Sequence, residues 1–320
     1  MQPVFDVVLP VFGIIFAGYM SGRLRILGAD SSEALNKFCY WFALPPVLFL
    51  GPARVPLEQV FNLPYIATTM GGVAIAWLVA LVGLVLFFRA SQVQTALALS
   101  CATFANSGYM GIPLFIAAFG AANALPAIIV TVAYTLTLVA ATVVLVEGGL
   151  SGQGGVRHAL VNVAKGLVKS PLVVPPLMGL AWNLTGVPLP KPVVNFGELL
   201  GAAAGPGALF AIGLFLSGRS LGTLAGGRKS IEVGWLVFVK LLVQPFATWW
   251  LAGYFGLDPF WTASAVILAA LPTAALCFVL AQQYRLYVER ASAAILVSTV
   301  LSAVTISALM IRYGSVPPPH

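Results

Sequence analysis

Apolar stretches of about 20 residues recur from one end of the chain to the other, the length a helix needs to cross a hydrocarbon core of about 30 Å. They lie near residues 4–22, 32–51, 64–88, 93–119, 124–147, 164–185, 193–217, 230–255, 261–283 and 291–312. Turn chemistry marks the breaks: Ser21-Gly22, Gly51-Pro52, Pro188–Pro192, Gly226-Gly227 and Asp258-Pro259. The glycine-rich run Gly148–Gly155 reads as a flexible connection near mid-chain. No stretch between the apolar ones is long enough for a separate domain. The pattern predicts an all-α membrane protein of ten transmembrane helices with short loops.

Positions that repeat at one offset divide the chain in two. Pro46 and Pro206 stand 160 residues apart, Pro113 and Pro272 159 apart, and Gly18 and Gly179 161 apart, with Pro10 and Pro171 at that same offset. Such a period in 320 residues points to duplication, with 1–150 as a first five-helix repeat and 151–320 as a second. Five is odd, so the second half enters the membrane from the opposite side and the repeats are inverted. Lysine and arginine set the orientation. With the N-terminus outside, twelve face the cytoplasm: Arg23, Arg25, Lys37, Arg89, Arg157, Lys165, Lys169, Arg219, Arg228, Lys229, Arg285 and Arg290. Three, Arg54, Lys191 and Arg312, face out. Both termini are expected on the outer side of a bacterial inner membrane. No basic region precedes the first apolar stretch, so no secretory leader is expected.

Composition agrees: 60% of residues are apolar and 8% charged, where a soluble chain needs roughly a quarter charged. The net charge of +7 is scattered over loops, a topology signal and no nucleic-acid stripe. Cys39, Cys101 and Cys277 lie inside apolar stretches without CxxC spacing, and His158 and His320 stand apart. Hence no metal cluster and no cofactor is expected.

Chemistry concentrates where two stretches break the rules of a lipid-buried helix. The fourth reads Phe104-Ala105-Asn106-Ser107-Gly108-Tyr109-Met110-Gly111-Ile112-Pro113, and the ninth holds Ala270-Leu271-Pro272-Thr273-Ala274. Unpaired backbone in lipid costs several kcal/mol, so breaks survive only where protein or a cavity covers them. Gly108, Gly111, Pro113 and Pro272 are expected to open the two helices, which cross near the bilayer midplane. Paired broken helices in matching positions of two halves point to a transporter's binding site. Their N-termini favour an anion, with Asn106, Ser107 and Thr273 as side-chain donors. Asn106 also reads as interhelical glue, and Tyr109 equally as core aromatic or substrate contact. Lys240, the one charge deep inside a stretch, is either a counter-charge or titrating group, or a snorkelling or paired residue, with Glu198 as a partner. No stretch centre holds Asp or Glu. That argues against a cation site, and no nucleophile–base pair or ligand set suits an enzyme.

The sequence resembles the auxin efflux carrier family, and its bacterial malonate-carrier type, over essentially the whole chain. The resemblance rests on Leu44-Pro45-Pro46, Lys169-Ser170-Pro171, Ala208-Leu209-Phe210 through Leu216-Ser217-Gly218-Arg219, Lys240 through Phe246, and Asn106 to Pro113. It implies ten helices in two inverted five-helix repeats, a fold similar to that of bile-acid sodium symporters. Stretches 1, 2, 6 and 7 would form a scaffold that joins a homodimer, and 3–5 and 8–10 a transport domain moving as an elevator. It also implies Pro113 and Pro272 as crossing prolines and Asn106 as the carboxylate contact. The second crossing carries Pro272-Thr273 and no asparagine, and only Gly148–Gly155 stands where plant members have a long loop. The expected function is secondary transport of a small organic carboxylate across the bilayer. The rivals are a sodium-coupled symporter of the same fold and a non-transporting sensor or partner subunit.

Overall fold

A computed structural model describes residues 4–88, 90–150, 161, 164–165, 168–218 and 227–317. Arg89, Arg157, His158, Arg219, His320 and most of Gly148–Gly155 lie outside the described residues. Regular structure among the described residues is helical, apart from one isolated bridge. A π turn at Val4–Val8 leads into α1 (Leu9–Arg23), and α2 (Ala29–Phe38) runs through a π turn at Cys39–Ala43 into α3 (Leu44–Ala53). After a single turn at Leu57–Val60, α4 (Leu63–Gly83) ends in a π turn at Leu84–Phe88. α5 (Gln92–Thr103) breaks off, and the helix resumes as a π turn, Ser107–Gly111, continuing into α6 (Ile112–Phe119). α7 (Leu125–Tyr134), a π turn at Thr135–Val139 and α8 (Ala140–Leu150) make one run. The second half contains α9 (Val174–Asn183), α10 (Lys191–Gly201) and α11 (Ala204–Ser217). α12 (Arg228–Phe238) passes through a π turn at Val239–Val243 into α13 (Gln244–Tyr254). α14 (Pro259–Ala269), α15 (Leu276–Tyr284) and α16 (Val288–Tyr313) complete the described chain.

Proline explains most of the π turns. Val4–Val8, Cys39–Ala43, Ser107–Gly111 and Val239–Val243 each end two residues before a proline: Pro10, Pro45, Pro113 and Pro245. A proline lacks the N–H, and its ring strikes the carbonyl one turn back. Widening the preceding turn swings that carbonyl aside, and the bonds show it: Leu44 N–H reaches Cys39, Ile112 reaches Ser107 and Gln244 reaches Val239, each five residues back. Pro113 therefore does not open its helix, against the expectation from sequence. The helix absorbs it.

Among the described residues, six helical runs are long and apolar enough to cross a membrane: Asp6–Arg23, Leu57–Phe88, Leu125–Gly149, Lys191–Ser217, Arg228–Tyr254 and Val288–Tyr313. Large apolar side chains such as Leu86, Phe87, Leu199 and Val304 stand more than half exposed on them, as lipid-facing residues do. The protein is an all-α membrane protein.

Packing divides into two groups. In one, α1 lies along α11 and α3 along α9, with α10 on α3 and α2 on α11. In the other, α4 lies along α13, α13 on α14, α5 on α8, and α12 and α15 on α16. The first group meets at two glycines. A Cβ added to Gly18 would strike the carbonyl oxygen of Phe210, and one added to Gly179 that of Phe49. Phe49 and Phe210 are 161 residues apart, as the two glycines are. The main apolar core is centred on the breaks of the second group, where Leu99, Phe104, Met110, Leu268, Leu271 and Ile295 are buried together, and it continues into the first group at Ile15, Leu44 and Ile212.

Candidate functional site

Two breaks in the helices face each other. α5 ends at Thr103, and the chain then runs extended, with Phe104 at φ −79°, ψ 102° and Asn106 at φ −77°, ψ 55°. The other gap lies between Ala269 and Leu276. The gaps pair antiparallel, Ala105 opposite Thr273. The Asn106 N–H donates to the Pro272 carbonyl (2.9 Å) and the Ala274 N–H to the Phe104 carbonyl (2.8 Å). Each break thus satisfies backbone groups of the other, which lets unwound chain sit fully buried. The interruption precedes Gly108 and Gly111, which lie in the resumed helix; those glycines do not open it.

The junction leaves donors unspent. Residues Asn106 and Ser107 are 6% and 1% exposed, and neither side chain has a hydrogen-bond partner among the described residues. The first turn of a helix has no internal acceptors for its N–H groups. Here Met110 and Gly111 donate back to the Asn106 carbonyl at 3.0 Å, whereas the Gly108 and Tyr109 amides find no acceptor among the described residues. Across the junction, the Ala275 and Leu276 amides at the start of α15 are likewise without one. Both residues are half-buried and not sealed away. Two half-helix N-termini therefore present four free amides beside a carboxamide and a hydroxyl.

Thr273 is placed differently from its expected role. Its hydroxyl donates to the Cys101 carbonyl (2.8 Å), and its amide donates to Ser298 Oγ (3.0 Å). Its proton is spent on holding α5 to the second break, which removes it as a donor to substrate. Gly111 lets the resumed helix approach α14: a Cβ there would come within 2.8 Å of Leu271 and 2.9 Å of Leu268. Pro113 sits at the start of α6, facing Gly205 of α11. The Tyr109 ring is half-buried, its hydroxyl 3.4 Å from the Asn36 carbonyl of α2.

Lys240 is fully buried. Its Nζ donates to the Ala269 carbonyl (2.6 Å) and to Gln244 Oε1 (2.8 Å), and Gln244 Nε2 donates to the Tyr134 hydroxyl (3.3 Å). Lys240 Nζ thus caps the C-terminal end of α14, where the helix dipole is negative, three residues before Pro272. It neither snorkels nor pairs with Glu198, which binds Arg54 at 2.8 Å on the exterior. Gln244, Tyr134 and Ser298 escaped the sequence reading. Only the four-residue spacing of Lys240 and Gln244 hinted at the first. A further buried cluster was missed: Glu232 accepts from Arg290 at 2.9 Å and from the Tyr287 hydroxyl, clamping α12 to the start of α16.

Comparisons with known proteins agree with this picture. The family described as "Membrane transport protein" matches residues 3–153 and 155–310. A "Putative malonate transporter" of Rhizobium meliloti (strain 1021) is 34% identical over 99% of this chain and 98% of its own length. An "Uncharacterized transporter YfdV" of Escherichia coli (strain K12) is 25% identical, with 93% of each chain covered. An "Uncharacterized transporter" of Methanothermobacter thermautotrophicus is 27% identical over 94% of this chain and 95% of its own length. The described helices, the paired breaks and a family match over nearly the whole length lead to one assignment. This chain belongs to the membrane transport protein family of auxin efflux carriers, and it is a membrane transporter and not an enzyme.

Proposed function

We propose that the protein is a secondary carrier of a small organic carboxylate, a malonate-like dicarboxylate or an aromatic acid, working by elevator-type alternating access. One observation carries the reading: two half-helix N-termini meet at the Asn106–Pro272 bond and leave Gly108, Tyr109, Ala275 and Leu276 amides unspent. A carboxylate accepts several hydrogen bonds and carries the charge that such helix starts favour. Asn106 and Ser107 add side-chain donors, and Lys240 adds positive charge at the neighbouring helix end. The name of the Rhizobium meliloti relative makes malonate the first acid to try.

The architecture that goes with this function is ten spans in two inverted five-helix repeats, 1–150 and 151–320. The scaffold would be α1–α3 with α9–α11, and the transport domain α4–α8 with α12–α16. The matched contacts of Gly18 with Phe210 and Gly179 with Phe49 support the repeat, and the denser packing within each group than between them supports the division. An apolar groove of about 380 Å³ on the first group, lined by Trp41, Pro46, Phe49, Met178 and Phe196, offers a face for the second copy of a homodimer. Both termini would lie outside a bacterial inner membrane.

The test is binding followed by flux. Purified protein is titrated with malonate and with an aromatic acid in a thermal-shift assay, with and without sodium, and then reconstituted for uptake of labelled acid. Binding with uptake is the expected result. Binding without flux would make it a sensor, and no carboxylate binding at all would remove the site.

A further inference from the structure

The two packing groups touch along broad apolar surfaces, yet among the hydrogen bonds between described residues a single one joins them. It runs from the Tyr109 hydroxyl to the backbone carbonyl of Asn36, 3.4 Å away. The other hydrogen bonds between described residues stay within a group: Asn183 to Pro52 and Val55, Arg54 to Glu198, Arg290 to Glu232, Arg228 to Phe87. Tyr109 is also one of the four residues whose own amide lies free at the junction. One side chain thus links the candidate site to the opposite group of helices.

We propose that Tyr109 is a substrate-released latch, a positioning residue that couples occupancy of the site to movement of the groups. This rests on the carboxylate site and on the division into scaffold and transport domain proposed above. In the empty protein the hydroxyl holds the Ser107–Gly111 turn against α2. Helical side chains lean toward the N-terminus of their helix, the end at which the free amides lie, and the latch requires the same hydroxyl to turn from Asn36 toward them. A carboxylate arriving there is an ionised acceptor, and a hydrogen bond to it is roughly twice as strong as one to a neutral carbonyl. At 3.4 Å, beyond the usual O–H···O range, the bond to Asn36 is the weaker competitor. The hydroxyl changes partner, and the loaded transport domain loses the one hydrogen bond that ties it to the scaffold among the described residues. Coupling of this kind favours movement of loaded over empty carrier.

The test uses the full chain in nanodiscs with spin labels at Lys37→Cys and Ala117→Cys. Both positions are exposed, and the native cysteines are buried. The latch predicts one narrow α2–α6 distance in the empty protein and a shifted or broadened one with malonate. Tyr109→Phe is expected to be broad already when empty, and to bind malonate about tenfold more weakly or worse, having lost one bond to a charged acceptor. Asn36→Ala keeps the acceptor, a backbone carbonyl, and should match wild type. An empty Tyr109→Phe protein as narrow as wild type overturns the latch. Malonate binding that leaves the wild-type distance unchanged overturns its release by substrate. Absence of malonate binding by the wild type strikes the carboxylate reading instead, and the two empty proteins still decide whether the hydroxyl holds the groups together.

Discussion

The amide of Asn106 donates to the carbonyl of Pro272 at 2.9 Å, so the residue that anchors one broken helix to the other does so with its backbone alone. Its carboxamide is left without a partner among the described residues, so in the proposed site folding and binding would be separate at this position. Asn106→Ala should insert and purify as wild type does, while malonate affinity falls about 10–100-fold, the worth of one hydrogen bond to a charged group. Pro113→Ala should also insert, but with an N–H restored at that position the π turn can relax and rotate the free amides, so uptake drops. Normal uptake by both variants would withdraw the site.

Thr273 should behave in the opposite way. The Cys101 carbonyl lies in the last turn of α5, where no intrahelical donor reaches it, and the Thr273 hydroxyl is what satisfies it. Thr273→Val leaves that carbonyl bare in a buried site, at a cost of about 1–3 kcal/mol. A clear drop in melting temperature with unchanged malonate affinity is expected, and Thr273→Ser should restore most of the stability. A selective loss of affinity would return Thr273 to the binding site.

How far the sequence spoke follows from the range of the interactions involved. Local rules placed the disturbed segments, because glycine, proline and polar residues inside an apolar stretch signal trouble with the helix on their own. They misplaced the break itself. Pro113 suggested it, but a π turn can absorb a proline, whereas the gap at Phe104–Asn106 is held open by a partner 166 residues on, Pro272. Thr273 looked like a free donor because its acceptor, Cys101, is 172 residues away. Lys240 is paired, one of the alternatives its sequence offers, but its partner is hidden for the same reason: Ala269 offers a backbone carbonyl, and a carbonyl at a helix end leaves no mark in residue type. The matched glycines, by contrast, were legible at one offset, and Gly18 and Gly179 each meet backbone too closely for any side chain.

Lys240 bears on which ion, if any, accompanies the substrate. A sodium ion at such a junction would seek carbonyl oxygens at a half-helix C-terminus, and here the ammonium already occupies the Ala269 carbonyl at 2.6 Å. Its surroundings supply Gln244 and Tyr134 but no carboxylate among the described residues. Malonate uptake by reconstituted wild type should therefore run equally fast with sodium or choline outside. Lys240→Met removes the charge while keeping the bulk, and it should depress uptake in both media. A strong sodium requirement in the wild type would favour the symporter reading over this one.

The two glycine contacts permit a test of the repeat that needs no substrate. Gly18 and Gly179 each face a backbone carbonyl, of Phe210 and Phe49, that a side-chain shift cannot move out of the way. Alanine at either position forces α1 from α11, or α9 from α3, and overpacking of this kind costs about 1–3 kcal/mol or more. Because the two contacts are counterparts, the penalties should be alike. Gly253 in α13 is the control: nothing lies within 4 Å of an added Cβ, and alanine in a helix gains roughly 0.5–1 kcal/mol over glycine. Melting of the three variants in one detergent reads all of this directly. A heavy loss at Gly18→Ala with none at Gly179→Ala would mean that the 161-residue spacing is a coincidence of sequence and that the halves do not share one packing rule.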